Sequence, residues 1–436
     1  MSRAEDRRLL ALAVPALGAL VAEPIYVLTD TAIVGRISTD ALAGLSVASA
    51  VLLTAHSISV FLAYGTTAAV ARRLGGGDER GAADQATQGL WLALALGVLL
   101  ALVGAVAGPG LIEVLGGRGE VAEQAGTSLG ISLFGLPAML LSLAGVGYLR
   151  GLQDTRTPLW VALGTAIGNG VVEAVLIFGF DQGIGASALS TVAAQWAGAA
   201  VFAWRCLATA RRHGVVLWPR GRALGRLLVV GSHLLVRTAA LRGSLLVGVS
   251  VATRIGPAPV AAYEIGFQIW SLAALGLDAL AIAAQSLVAH ALGAGDADGA
   301  RRTGQRALVL SVGAGAVLAV VLALLRHPLA AVFSDDATVV ALAAESLLYV
   351  AVMQPVNGAA FALDGILIGA GDQRFLAWAM ALAFAVYTPA AQVVRITGAG
   401  LGWLWAALGL FMVLRWLVLH ARFRGDGWVV LGEQRR

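Results

Sequence analysis

The chain has 436 residues, of which 59% are hydrophobic and 13% charged, with a mean hydropathy of +0.83; soluble domains carry about 25% charged residues. Its net charge of +5 comes from arginine alone, without a single lysine, and the arginines cluster between apolar runs as a topology signal rather than on a nucleic-acid-binding face. The one cysteine, Cys206, excludes an intramolecular disulfide and a cysteine metal cluster, and no HExxH or Walker motif marks an enzyme.

Apolar runs of membrane-crossing length follow one another along the chain, near 9–35, 41–71, 86–108, 122–149, 157–180, 184–208, 223–252, 259–291, 304–326, 338–369, 374–394 and 399–420. None alternates with the period of a barrel strand, so twelve transmembrane helices are predicted. The charged, then apolar start imitates a signal peptide, but the apolar run continues to Asp30 and reads as an uncleaved first span. Twelve spans put both termini on one side. That side also receives Arg72, Arg73, Arg80, Arg150, Arg156, the Arg205–Arg226 cluster, Arg301, Arg302, Arg306 and Arg374; the other receives Arg36, Arg118, Arg254, Arg326 and Arg395. The arginine-rich side is therefore expected to be cytoplasmic, in a multi-pass protein of the inner membrane.

The sequence repeats at an interval of 218 residues. Leu74-Gly75 and Gly77-Asp78 meet Leu292-Gly293 and Gly295-Asp296; Pro137, Gly147, Gly151 and Asp154 meet Pro355, Gly365, Gly369 and Asp372. Six spans per copy insert with the same orientation. The expected architecture is all-α, two six-helix lobes related by a pseudo-two-fold axis along the membrane normal. The lobes are read as residues 1–210 and 223–436, joined by a cytoplasmic linker at 211–222. In the loops, Asp78 and Asp296 read as helix caps, as does Thr157 ahead of Pro158.

The two copies differ in their buried acids. Asp30, Asn169 and Glu173 in the first face Gly248, Tyr387 and Ala391 in the second. A carboxylate at the centre of a spanning helix costs on the order of 2.5–3.5 kcal/mol, so one that persists usually faces a cavity and has a role. Asp30 on span 1, Asn169 and Glu173 one turn apart on span 5, and Thr191 on span 6 fall at similar depth. Two carboxyls, an amide and a hydroxyl are able to hold a shared proton or to ligate Na⁺. A structural role at helix kinks is the alternative. Pro15 and Pro24 flank the middle of span 1 and allow it to bend with the charge state of Asp30. In the second copy, Arg237, Arg242, Glu264 and Glu345 are candidates for a substrate cavity or for internal ion pairs, with Asp278 and Asp364 as further acids; Glu23 is a weaker cavity candidate. His56, His233 and His290 read as packing, and the Trp and Tyr residues of spans 8, 10, 11 and 12 as interface anchors.

Two segments carry a family resemblance. Pro24-Ile25-Tyr26-Val27-Leu28-Thr29-Asp30-Thr31-Ala32-Ile33-Val34-Gly35 resembles the first-span signature of the multidrug and toxic compound extrusion (MATE) family. Leu149-Arg150-Gly151-Leu152-Gln153-Asp154-Thr155-Arg156-Thr157-Pro158 resembles the hallmark loop of its DinF-like prokaryotic branch. Val236-Arg237-Thr238 and the segment from Leu363 to Asp372 are similar to second-lobe motifs. The resemblance implies an antiporter, not an enzyme, that exports amphipathic or cationic compounds by alternating access in exchange for H⁺ or Na⁺. It implies no cofactor beyond the coupling ion, which it assigns to Asp30, Asn169, Glu173 and Thr191. Glu173 stands where the family usually has aspartate, and its longer reach favours H⁺; Glu264 stands where the branch more often has glutamine. The expected partners are small organic molecules and the lipid bilayer, without nucleic acid, and the chain is expected to act as a monomer. Two alternatives are a lipid-linked precursor flippase, with Arg237 and Arg242 on a pyrophosphate, and an intramembrane enzyme using paired acids. The latter lacks a nucleophile–base set.

Overall fold

The computed structural model describes residues 3–432. Twelve of its helices are long and apolar enough to cross a membrane: α1 (Ala4–Val34), α2 (Thr39–Gly75), α3 (Glu79–Val114), α4 (Gly119–Gly151), α5 (Arg156–Gly179), α6 (Ile184–Arg212), α7 (Gly221–Ile255), α8 (Pro257–Gly293), α9 (Ala297–Phe333), α10 (Ala337–Gly369), α11 (Gln373–Thr397) and α12 (Leu401–Arg424). These are the expected spans. The largest boundary difference is in α9, which begins at Ala297 rather than near 304 and ends at Phe333 rather than 326. Its first turns carry Arg301, Arg302 and Arg306, so hydropathy understates a helix that continues past the apolar stretch. Helix α1 is continuous through Pro15 and Pro24.

The chain forms two compact units. One comprises residues 18–231, the other residues 1–17 together with 232–436. In the second of these, the N-terminal turns of α1 are tied to α9 by Asp6, which accepts from Arg306 Nε and Nη2.

The 218-residue interval is a repeat of contacts as well as of letters. A Cβ on Gly147 would stand 2.5 Å from the Ala63 carbonyl oxygen, and one on its counterpart Gly365 would crowd the carbonyl of Ala281, itself 218 residues beyond Ala63. Gly97 lies 2.5 Å by the same measure from the Pro137 Cα, and Gly315 lies 2.9 Å from the Pro355 Cα. Gly151 rests on Thr67 at 3.1 Å and Gly369 on Gln285. In hydrocarbon, where apolar surface alone does not drive helices together, such close backbone approach supplies the packing.

The turns repeat too. Gly77 and Gly295 take φ of +78° and +77°, the left-handed region where a Cβ is disfavoured. Asp78 and Asp296 then cap the following helix, each accepting from a glycine amide three residues on at 2.7 Å. At the next such turn the second copy has Gly371 at φ +79°, whereas the first has Gln153 at φ +59°. The cap of α5 differs from expectation. Asp154 rather than Thr157 receives the free amides, those of Arg156 at 3.1 Å and Thr157 at 2.9 Å, and Thr157 Oγ1 also donates to it at 2.6 Å. The carboxylate has two oxygens, Oδ1 taking both amides and Oδ2 the Thr157 hydroxyl, whereas a hydroxyl has one.

The aromatic residues also depart from expectation. Tyr263, Trp270, Tyr387 and Trp405 lie in the core of the unit containing 232–436, with Tyr263 against Trp405 at 5.0 Å and Tyr387 edge-on to Phe411 at 5.8 Å. Trp378 and Trp403 are exposed, as interface anchors would be. Sequence depth along a helix does not reveal which way a ring points, and that direction separates the two groups.

Candidate functional site

The unit of residues 18–231 brings three helix faces together, each presenting two polar side chains one turn apart: Tyr26 and Asp30 on α1, Asn169 and Glu173 on α5, Ser187 and Thr191 on α6. Residues four apart share a helix face, so each pair projects in one direction. Helices α1 and α6 meet in two rungs. Ser187 Oγ donates to Asp30 Oδ1 at 2.9 Å, and one turn away the Tyr26 and Thr191 hydroxyls share a hydrogen bond of 2.8 Å. Helix α5 completes the cluster. Asn169 Nδ2 donates to Glu173 Oε2 at 3.2 Å, and the Glu173 carboxyl lies against Asp30 and Ser187. Asn169, Glu173 and Ser187 are buried, whereas Tyr26, Asp30 and Thr191 are half-buried.

Two acceptor oxygens in the cluster have no donor among the described residues: Glu173 Oε1 and Asn169 Oδ1. A buried acceptor left without a donor is costly, on the order of 1–3 kcal/mol. The arrangement therefore has acceptor capacity to spare for a proton or a cation. Directly after Glu173 the helix widens into a π-turn over Val175–Gly179, a local distortion common beside functional residues.

Tyr26 and Ser187 were not among the sequence-derived site residues. The signal for both was present, since each lies four residues before a residue that was singled out. Helical hydroxyls, however, commonly bond their own backbone, as Thr29 and Thr31 do here, and so attract little notice.

The corresponding place in the other unit is filled. Gly248 stands where Asp30 does, and the hydroxyls of Tyr263 and Tyr387 crowd the position its Cβ would occupy. Both rings are buried. Of the charged residues singled out there, Arg237 is buried and held by Asp364, its Nε donating to Oδ1 at 3.1 Å. The same carboxylate forms an ion pair with Arg415, Nη2 to Oδ2 at 2.9 Å, and the guanidinium lies 5.2 Å from the Phe361 ring centre. Arg415 was missed because its partner lies 51 residues away on another helix. Arg242, Glu264 and Glu345 are exposed, with Glu264 accepting from Gln268 at 2.9 Å. His56 lies 3.8 Å from Glu23.

A duplicated bundle of twelve spanning helices, with the Asp30–Glu173 pair in the first copy and none at the matching positions of the second, defines a polytopic membrane transporter. The chain belongs to the MatE family, whose model matches residues 15–178 and 235–393. The chain is 32% identical to the Arabidopsis thaliana Protein DETOXIFICATION 44, chloroplastic, over 93% of this chain and 80% of that one. It is 27% identical to DNA damage-inducible protein F of Escherichia coli (strain K12), over 96% and 92% of the two chains. The probable multidrug resistance protein NorM of Rhizobium meliloti is 29% identical over 88% and 84%. Among solved structures, a MOP superfamily transporter from Pyrococcus furiosus superposes with a TM-score of 0.88 at 19% identity, covering 96% of this chain and 95% of that one. A mutant of the Vibrio cholerae MATE transporter VcmN gives 0.88 at 20%, covering 98% of each. The expected family and all-helical fold are borne out, and with them a multi-pass membrane protein of a multidrug efflux family, acting on small molecules.

Proposed function

We propose that this transporter is a proton-coupled antiporter that exports amphipathic cations, loading its proton between Asp30 and Glu173. The observation that carries the reading is that the Glu173 carboxyl lies against Asp30 while its buried Oε1 has no hydrogen-bond partner among the described residues. One proton placed there satisfies the orphan oxygen and removes one of two like charges from an apolar surrounding. Ser187 and Asn169 each donate to one of the carboxyls and hold them when the proton leaves. The protonation state of Asp30 is then coupled to the bend of α1 at Pro15 and Pro24, through the Ser187 and Tyr26–Thr191 rungs. The chain works by alternating access as a monomer with both termini in the cytoplasm, as a pair of lobes, 1–210 and 223–436, joined at 211–222. Arg237 is engaged by Asp364, which weighs against a pyrophosphate site and the flippase reading.

The test uses liposomes loaded with a fluorescent organic cation, with pH and Na⁺ gradients imposed separately. Efflux driven by the pH gradient and lost in Asp30→Asn is the expected result. Efflux driven by Na⁺ alone would refute proton coupling and make Asp30, Asn169, Glu173 and Thr191 ligands of Na⁺. No efflux under either gradient would refute the antiporter.

A further inference from the structure

Helices α5 and α6 leave a groove of about 620 Å³ between them. Two rows of residues, each spaced four apart along one helix face, form its walls. On α5 the row is Trp160, Gly164, Gly168 and Val172; on α6, which runs the other way, it is Val201, Ala197 and Ala193. All seven are exposed. One further step toward the same end takes the first row to Arg156 and the second to Arg205, both exposed as well. Asp154 ties these two ends together, accepting from the Arg156 amide at 3.1 Å and lying 3.6 Å from Arg205 Nη2. The groove is thus apolar along its length and basic at its mouth. A Cβ on Gly164 or Gly168 would meet nothing within 4 Å, so its floor is open.

The polar side chains along the groove are committed elsewhere. Thr157 Oγ1 donates to Asp154 at 2.6 Å, Thr165 Oγ1 to the Val161 carbonyl at 2.8 Å and Ser190 Oγ to the Ser187 carbonyl at 2.8 Å. The Asn169 side chain is buried beneath the surface. A polar guest would lose its hydration here without replacement, whereas a hydrocarbon chain has none to lose. From Trp160 to Val172 the groove runs about 18 Å at 1.5 Å per residue, close to the roughly 15 Å of hydrocarbon in one leaflet. Near the mouth, Trp160 and Trp204 are 70% and 66% exposed, as indole rings at a membrane interface are. We infer that the α5–α6 groove is a binding site for one acyl chain of an anionic phospholipid, whose headgroup rests on Arg156 and Arg205. Asp154 offsets one of the two guanidinium charges, and the charge left over complements a headgroup of net negative charge but not a zwitterionic one. A basic residue at a membrane surface favours anionic lipid by about fivefold. Such a lipid binds whichever ion drives transport, and touches none of the acids of the functional site.

The experiment equilibrates the full chain in mixed micelles with dioleoylphosphatidylglycerol and dioleoylphosphatidylethanolamine, identical in their chains, and counts retained lipids by native mass spectrometry. Wild type is expected to hold one phosphatidylglycerol about fivefold more tightly than phosphatidylethanolamine. A phosphatidylglycerol with a diazirine near the end of one chain should crosslink to residues 160–172 or 193–201. Arg156→Gln should abolish the headgroup preference and leave phosphatidylethanolamine retention unchanged. Gly164→Leu, which sets a side chain on the open floor, should weaken both lipids alike and remove the crosslink. Equal retention of the two lipids by wild type would overturn the headgroup assignment without any variant being needed. A crosslink absent from both segments, or retention unchanged in Gly164→Leu, would overturn the groove. Stoichiometric displacement of the bound phosphatidylglycerol by a fluorescent organic cation would make the groove a substrate site and overturn the lipid assignment.

Discussion

Gly147→Ala should destabilise the unit of residues 18–231, while Gly126→Ala on the same helix should not. The new methyl at 147 would stand 2.5 Å from the Ala63 carbonyl oxygen and 3.0 Å from both Ala63 Cα and Thr66 Cβ. Backbone cannot swing aside as a side chain does, so α2 and α4 must separate by about 0.9 Å to restore an ordinary contact of 3.4 Å. Overpacking of this kind costs about 1–3 kcal/mol. At Gly126 nothing lies within 4 Å of the added carbon, and replacing glycine in a helix interior gains roughly 0.5–1 kcal/mol. The two alanine variants, identical in chemistry and helix, should thus differ by about 1.5–4 kcal/mol. Thermal unfolding of the detergent-solubilised protein measures this, and a difference of 1 kcal/mol corresponds to about 2–4 °C for a unit of roughly 200 residues. Coincident melting curves would refute the claim that backbone contact at Gly147 holds these helices together. Gly365→Ala should repeat the loss through Ala281.

Other outcomes follow from the same geometry. Asp364→Asn leaves the Arg237 and Arg415 guanidinium groups sharing one neutral amide, and should cost about 3–5 kcal/mol, the penalty for breaking a buried ion pair; a denaturation midpoint equal to wild type would show that the carboxylate is replaceable. Gln153→Gly should stabilise the protein by about 1 kcal/mol, because it relieves a left-handed residue where the second copy already has glycine, and a lowered melting temperature would contradict this. Gly248→Asp should fail to create a second acid site and should instead lower expression or stability, since the Tyr263 and Tyr387 hydroxyls already occupy the space; a stable variant with added proton uptake would refute the packing described.

Much of the scaffold was legible in the sequence because each signal is local. Hydropathy gave the spans, and the pairs Gly77-Asp78 and Gly295-Asp296 gave the turns, since only certain residues tolerate a positive φ or satisfy a free amide. Asp30, Asn169, Glu173 and Thr191 stood out because polar groups in hydrocarbon are expensive. Ser187 and Tyr26 did not, since a hydroxyl is cheap in a helix until another helix approaches it. The Arg237–Asp364–Arg415 cluster depends on residues 127 and 51 positions apart, whose pairing no helical period encodes.

The two tyrosine hydroxyls packed on Gly248 show what doubling a fold permits. A single-copy protein that loses a buried acid loses its chemistry with it. With two copies in one chain, one half carries Asp30 and Glu173 while the other fills the corresponding volume with the Tyr263 and Tyr387 rings. Inheritance here is of helix spacing, through Gly147 and Gly365, and not of reactivity.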